Sequence, residues 1–173
     1  MAALLALATY FKLLQNNSYT LLFVAFSGEE GGLLGSEVFV KSFVNLGNIK
    51  QVINLEMPGR FSKSAKPFVT EGINSNGLIK KLNTNLRRIN PAADKVFFER
   101  DNYPLEDNFI RSDNYSFAIK GVPANTIMAT HDTDKFYHSP SDDWRTLDFE
   151  AMTRAVKAIA MACTPLVQGS NRN

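Results

Sequence analysis

The chain has few of the residues from which several common kinds of site are built. Its 173 residues include one cysteine, Cys163, and two histidines, His131 and His138. A single cysteine excludes a disulfide within the chain and any zinc finger built from cysteines. It leaves open whether the protein works in a reducing or an oxidising compartment.

An excess of charge of one sign is also absent. The 19 basic and 17 acidic side chains give a formal net charge of +2 and are spread along the chain, so no basic stripe marks a nucleic-acid surface. No apolar run approaches the roughly 20 residues that a membrane-spanning helix needs. We therefore expect neither nucleic acid nor a membrane as a partner. The composition, 45% hydrophobic and 21% charged, is that of a globular protein, and we expect one domain over residues 1–173.

The opening segment, MAALLALATYFKLLQNN, is the one candidate for a targeting sequence. It has no cationic residue before its apolar stretch and no evident cleavage signature, which argues against a signal peptide. Leu4, Ala8, Phe11 and the residues around them recur at helical spacing. We interpret the segment as an ordinary helix.

Short apolar runs alternate with segments of helical period along the rest of the chain. This pattern predicts strands at 19–26, 49–57, 66–72, 95–100 and 121–130, and helices at 32–44, 76–90 and 149–167. Asp148 is placed to be the N-cap of the last helix. The alternation predicts an α/β fold with a mostly parallel central sheet between helices, in which binding groups collect beyond the carboxyl ends of the strands.

Two adjacent carboxylates, Glu29 and Glu30, follow the first predicted strand in a glycine-rich turn. One interpretation is a capping box, because Ser27 precedes Glu30 by three residues and acidic groups are favourable at a helix N-terminus. The other interpretation is a metal site. Neighbouring side chains point in different directions, so one glutamate could hold a metal while the other meets its bound water.

Two further residues decide between these interpretations. Glu56 ends the second predicted strand, where a buried carboxylate needs a partner such as a cation, unless the strand has already ended and the side chain is hydrated. His138 lies in the loop segment KFYHSPSDDW, where Asp142 could orient a ligating imidazole. His131, in THDTDK, has similar acidic neighbours.

Four segments together resemble the M28-type zinc peptidases, a group of dinuclear aminopeptidases and their relatives. The segments are FVAFSGEEGGLLGSEVFV, VINLEMPGR, RSDNYSFAIKGVPA and YHSPSDD, and they occur in the order found in that family. The resemblance spans nearly the whole chain. It implies a three-layer phosphorylase/hydrolase-like α/β fold, with helices on both faces of the sheet, and a zinc-dependent exopeptidase acting on peptides.

The resemblance also implies roles for individual residues. Glu29 is the expected general base or acid, Glu30 and His138 the ligands of one zinc, and Glu56 a ligand of the second. Asp142 is expected to support the ligating histidine. Relatives of this type are commonly exported, which implies a periplasmic or secreted protein, although the chain shows no signal peptide.

The chain also departs from the family pattern. The family uses a further histidine and a bridging aspartate from loops that precede the opening helix, and this sequence supplies neither. We therefore expect an N-terminally truncated domain that is incomplete for dinuclear catalysis and holds one zinc or none. Asn114 stands where the family often has histidine, and Glu56 where its aminopeptidases more often have aspartate. A non-catalytic interaction domain and a glutaminyl-cyclase-like acyl transferase with one zinc remain alternatives.

Overall fold

A computed structural model of the chain describes residues 1–43, 45–61, 66–72, 76–103, 105–129 and 134–169. Helices and strands alternate along most of this part of the chain. In chain order they are α1 (Ala2–Leu14), α2 (Leu34–Ser42), β1 (Val52–Glu56), β2 (Phe68–Thr70), α3 (Leu78–Ile89), β3 (Glu99–Arg100), α4 (Asn114–Ala118), β4 (Ala124–Met128) and α5 (Phe149–Val167). Single-turn 3-10 helices lie at Leu46–Asn48, Pro58–Arg60 and Trp144–Thr146.

The four strands form one mixed sheet in the order β1-β4-β2-β3. Strands β1 and β4 are parallel, with Glu56 opposite Met128, so both end at the same edge of the sheet. Strand β2 is antiparallel to β4 and parallel to β3. The sheet order therefore places Glu56 beside the segment that follows β4.

Apolar side chains cover both faces of this sheet, as the α/β prediction requires. On one face, Val69 and Ile127 belong to a core that includes Leu82 of α3 and Ile159 of α5. On the other face, a smaller core includes Ala124 of β4 with residues of α2 and α4, namely Val40, Phe117 and Ala118. The predicted fold class, α/β with helices on both faces of the sheet, is confirmed.

Helix α1 packs along α5, the longest helix of the described residues. Leu7 and Phe11 of α1 are buried in the larger core, and the Tyr10 hydroxyl lies 3.0 Å from Thr164 Oγ1. The predicted N-cap of α5 is confirmed, because the Asp148 carboxylate accepts a hydrogen bond of 2.8 Å from the Ala151 amide. No helix in the described ranges is both long and apolar enough to span a bilayer.

The prediction of a central strand at 19–26 was wrong. No residue of this segment belongs to a strand, and Leu22 and Phe23 are exposed. An apolar run becomes a strand only where a neighbouring backbone accepts its hydrogen bonds, and no strand of the described chain pairs with this run or with the outer edge of β1. Leu21 and Phe26 still contact the two cores, so the segment retains part of its predicted burial.

Candidate metal centre

An open pocket lies at the sheet edge where β1 and β4 end. It encloses about 680 Å³ of space continuous with solvent. Its walls are formed by Glu29, Glu30, Glu56, Met57, Asn108, Arg111, Ser112, Met128, Tyr137, His138 and Asp142. All five residues predicted for the site from the sequence therefore line one pocket.

The turn that carries Glu29 and Glu30 is built from main-chain hydrogen bonds. The amides of Gly32 and Leu33 both donate to the Glu29 carbonyl over 2.9 Å, and Gly28 has a left-handed φ of 70°. A Cβ at Gly35 would lie 2.5 Å from the Ser27 carbonyl oxygen, so the close return of the chain requires glycine there. Because α2 begins only at Leu34, Glu30 lies outside its first turn and the capping-box interpretation is wrong.

Glu30 and His138 meet directly, although 108 positions separate them in the chain. The Glu30 Oε1 and His138 Nε2 atoms are 2.7 Å apart. A carboxylate oxygen and an imidazole nitrogen are typical zinc ligands, and two ligands of a tetrahedral zinc lie roughly 3 Å apart. The pair therefore needs only a small separation to bind one ion between its atoms.

Glu29 is half-buried beside this pair. Burial and, to a smaller extent, the negative charges of Glu56, Glu30 and Asp113 raise the pKa of its carboxyl from 4.5 to about 7, while His138 opposes them. A carboxyl whose pKa is near neutral is suited to accept and release protons at physiological pH. This environment distinguishes Glu29 from its neighbour Glu30.

Glu56 ends β1 and is held from the side by a serine. The Ser112 hydroxyl donates to Glu56 Oε2 over 2.5 Å and accepts a hydrogen bond of 2.7 Å from Asn54 Nδ2. Burial raises the pKa of Glu56, and the Ser112 hydrogen bond partly offsets this rise. The carboxylate is therefore partly desolvated and oriented at the strand end.

The described residues do not complete a metal site. They contain no group of three histidine, cysteine, aspartate or glutamate side chains close enough to hold one ion. Glu30 and His138 have the chemistry of zinc ligands, but a catalytic zinc usually takes three protein ligands. Glu56 lines the same pocket without joining that pair.

Asp142 pairs with Arg60, whereas its predicted role requires a contact with His138. It was expected to support the His138 imidazole, but its carboxylate accepts a hydrogen bond from the guanidinium of Arg60. In the described hydrogen bonds, His138 pairs with Glu30 through Nε2 and its ring stacks on Tyr137 at 4.0 Å. His131, the second histidine considered from the sequence, lies outside the described residues.

Sequence reasoning did not assign two polar residues to the site. Ser112 orients Glu56, and Asp113 is 9% exposed, with its Oδ1 atom lacking a hydrogen-bond partner among the described residues. The negative charge of Asp113 raises the pKa values of both Glu29 and Glu56. Both residues fall within the segment RSDNYSFAIKGVPA, whose polar start was the available signal.

Curated proteins that are similar to this chain are described as probable leucine aminopeptidases. A probable leucine aminopeptidase of Arthroderma otae is 31% identical over 162 residues, which are 90% of this chain and 41% of the relative. A probable leucine aminopeptidase of Arthroderma benhamiae is 30% identical over the same shares. The chain thus spans about two fifths of the length of these curated relatives.

Solved structures agree on the fold. A zinc aminopeptidase from Bacillus subtilis superposes with a TM-score of 0.66 at 19% identity, covering 86% of this chain and 36% of that one. The LapA aminopeptidase of Legionella pneumophila superposes with a TM-score of 0.63 at 23% identity, covering 83% of this chain and 38% of that one.

The family assignment rests on a family model that matches most of the chain. The model of peptidase family M28 matches residues 1–163, which includes every segment that lines the pocket. The chain therefore belongs to peptidase family M28.

Proposed function

We propose that this chain carries the proton-transfer residue and three metal ligands of a zinc-dependent aminopeptidase, which hydrolyses the N-terminal peptide bond of peptide substrates. The observation that supports this most is the environment of Glu29. Its pKa is raised to about 7 in a pocket that also contains the Glu30–His138 pair and Glu56. Membership of peptidase family M28 gives the reaction class.

The proposed mechanism assigns one task to each side chain. Glu29 accepts a proton from the attacking water on its carboxylate and passes that proton to the departing amine. Glu30 and His138 would hold one zinc and Glu56 a second. When bound, zinc supplies a Lewis acid for the scissile carbonyl and lowers the pKa of water. Ser112 keeps the Glu56 carboxylate turned toward the pocket.

The number of ligands sets an expectation for metal binding. The described residues offer a two-residue pair, so we expect this polypeptide to bind zinc more weakly than a site with three protein ligands does. Equilibrium dialysis against zinc followed by metal analysis measures this affinity. The variants Glu30→Gln and His138→Ala should each lose the bound zinc, because each removes one ligand of the pair.

The variant Glu29→Gln tests the proton-transfer role. It should leave zinc content unchanged and lower the rate of leucyl anilide hydrolysis at least about 100-fold, since general acid–base catalysis typically contributes that much. Glu37→Gln is the matched control, because Glu37 is an exposed glutamate on α2 that pairs with Lys41. Its zinc content and rate should equal those of the unmodified chain.

Two outcomes would contradict the proposal. One is a chain that takes up no zinc, and the other is a hydrolysis rate that Glu29→Gln leaves unchanged. Cyclisation of an N-terminal glutamine peptide to pyroglutamate, with leucyl anilide left intact, would instead identify an acyl transferase.

A further inference from the structure

One largely buried side chain, that of Arg60, connects the loop that carries His138 to the end of β1. We define the His138 loop as residues 134–146. Arg60 lies in the 3-10 turn Pro58–Arg60, which directly follows β1, and its amide donates to the Met57 carbonyl over 2.9 Å. The main chain of Arg60 is therefore fixed four residues beyond Glu56. Its side chain is 9% exposed.

Arg60 contacts the His138 loop on both sides of the histidine. Its Nε lies 3.1 Å from Asp134 Oδ2, and its Nη2 donates to Asp142 Oδ1. These aspartates stand four residues before and four residues after His138. Because both aspartates pair with one rigid, planar cation, the segments before and after His138 are fixed relative to each other.

Further contacts close the arrangement. Nη1 donates to Thr146 Oγ1 over 3.0 Å and to the Thr146 carbonyl over 3.3 Å. The guanidinium carbon lies 4.8 Å from the centre of the Phe136 ring, within the range of a cation–π contact. All three guanidinium nitrogens thus contact the loop, Nη1 and Nη2 as hydrogen-bond donors and Nε in an ion pair, which a lysine ammonium could not reproduce at one position.

The different exposure of the two aspartates shows which of them depends more on Arg60. Asp134 is 11% exposed and Asp142 about half exposed, so the cation offsets one carboxylate that is largely removed from water. Without Arg60, the largely desolvated Asp134 would lose this cation and the loop would lose contacts at four residues. The loop would then be free to carry His138 away from Glu30.

We propose that Arg60 is a positioning residue that holds His138 beside Glu30, in the pocket that Glu56 also lines. This inference rests on the proposed function for its consequence, which is zinc binding, and on geometry alone for the fixing of the loop. Arg60 does not line the pocket, so it acts through the loop.

Hydrogen–deuterium exchange on the metal-free chain tests the positioning directly. The amides of Tyr137, Ser139 and Asp142 donate to carbonyls within the loop, at 3.0, 3.1 and 3.0 Å. In Arg60→Ala these amides should exchange at least about tenfold faster, while amides of α5 and β4 keep their rates. Arg60→Lys should restore only part of the protection, since it retains the charge without the planar fork.

The matched control is Arg145→Ala. Arg145 lies in the same loop, but its side chain is exposed and its described hydrogen bonds go to Asp143, which does not line the pocket. Its replacement should leave the exchange of residues 136–142 unchanged. Asp142→Asn is a second variant, which weakens the ion pair with Arg60 by changing an exposed side chain. The test therefore does not depend on the folding of Arg60→Ala.

Zinc affinity gives the independent readout. Arg60→Ala should bind zinc at least about tenfold more weakly than the unmodified chain, Arg60→Lys should be intermediate, and Arg145→Ala should be equal to it. Unchanged exchange in the loop of Arg60→Ala would overturn the proposal, as would faster exchange spread equally over α5 and β4. If the unmodified chain binds no zinc, the proposed function fails, whereas the exchange rates still decide the role of Arg60.

Discussion

At the scale of single residues, adjacent glutamates of the same turn have different surroundings. Glu29 is half-buried among three other carboxylates, and Glu30 is exposed and pairs with His138. The adjacency of these glutamates in the sequence predicted a division of labour but not which of them would be desolvated. The burial of Glu29 and the nearby charges of Glu56 and Asp113 both arise only on folding.

The raised pKa of Glu29 has a consequence for stability. A carboxyl with a folded-state pKa of about 7 and an ordinary value of 4.5 binds its proton more tightly when folded. Stability from this group is therefore fully present below about pH 4.5 and is lost as the pH rises through about 7. Urea unfolding of the metal-free chain should give a free energy of unfolding that falls between about pH 5 and pH 7.

Glu29→Gln should flatten this part of the profile, because an amide does not titrate. Glu37→Gln serves as the comparison, since Lys41 lowers the pKa of Glu37 and places its titration below this window. An equally steep fall in Glu29→Gln and in the unmodified chain would assign the slope to other groups, with Glu56 the first candidate because its pKa is also raised.

The site could be predicted only where the residue type itself carried the chemistry. Glu29, Glu30, Glu56 and His138 were candidates because of their residue types, the resemblance to the M28 peptidases gave them their expected roles, and all four line one pocket. Arg60 and Ser112 were not assigned, because arginine and serine are common on surfaces. Their importance comes from partners more than 50 positions away in the sequence.

At the scale of secondary-structure elements, long helices with clear ends were predicted well. The predicted helices at 76–90 and 149–167 correspond to α3 and α5 within two residues at each end. The short helix α4 was not predicted, because its buried residues include Asn114 and Ser116, which are polar. Their burial depends on tertiary partners, such as the Ser36 hydroxyl, which lies 2.9 Å from that of Ser116.

Removing the cap of α5 should weaken the helix at its start. Asp148→Ala takes away the acceptor for the Ala151 amide and a negative charge at the helix N-terminus, and should lower the free energy of unfolding by about 1 kcal/mol. Glu150→Ala is the control. It removes an exposed ion pair with Arg154 in the first turns of the same helix and should cost only about 0.3–0.5 kcal/mol. Equal losses in the two variants, measured by urea unfolding, would contradict the capping role.

At the scale of the whole molecule, the sequence predicted the layers but not the sheet topology. Alternating elements imply helices on both faces of a sheet, and these are present. The antiparallel placement of β2 beside β4 depends on the crossing connections between distant segments. No local pattern of hydrophobic residues encodes the direction of a strand relative to its neighbours, so this feature could not be read from the sequence.

The larger core relies on small side chains along α5. Ala151, Ala155, Ala158 and Ala162 are buried, and α5 packs closely against α3. Ala162→Leu should destabilise the chain by about 1–3 kcal/mol, because three additional carbon atoms have no space at a fully buried position. Lys157→Leu, at an exposed position of the same helix, should change the stability by less than about 0.5 kcal/mol. A loss in Lys157→Leu as large as that in Ala162→Leu would contradict this view of the packing.

Strand β1 pairs with β4 on one side, and no other described strand covers its opposite side. All five of its side chains are half-buried, and none is the lysine or proline that commonly discourages pairing at a sheet edge. An extended peptide segment lying alongside β1 would gain main-chain hydrogen bonds and shield these side chains from water. Concentrated solutions of this polypeptide are therefore expected to associate by sheet extension.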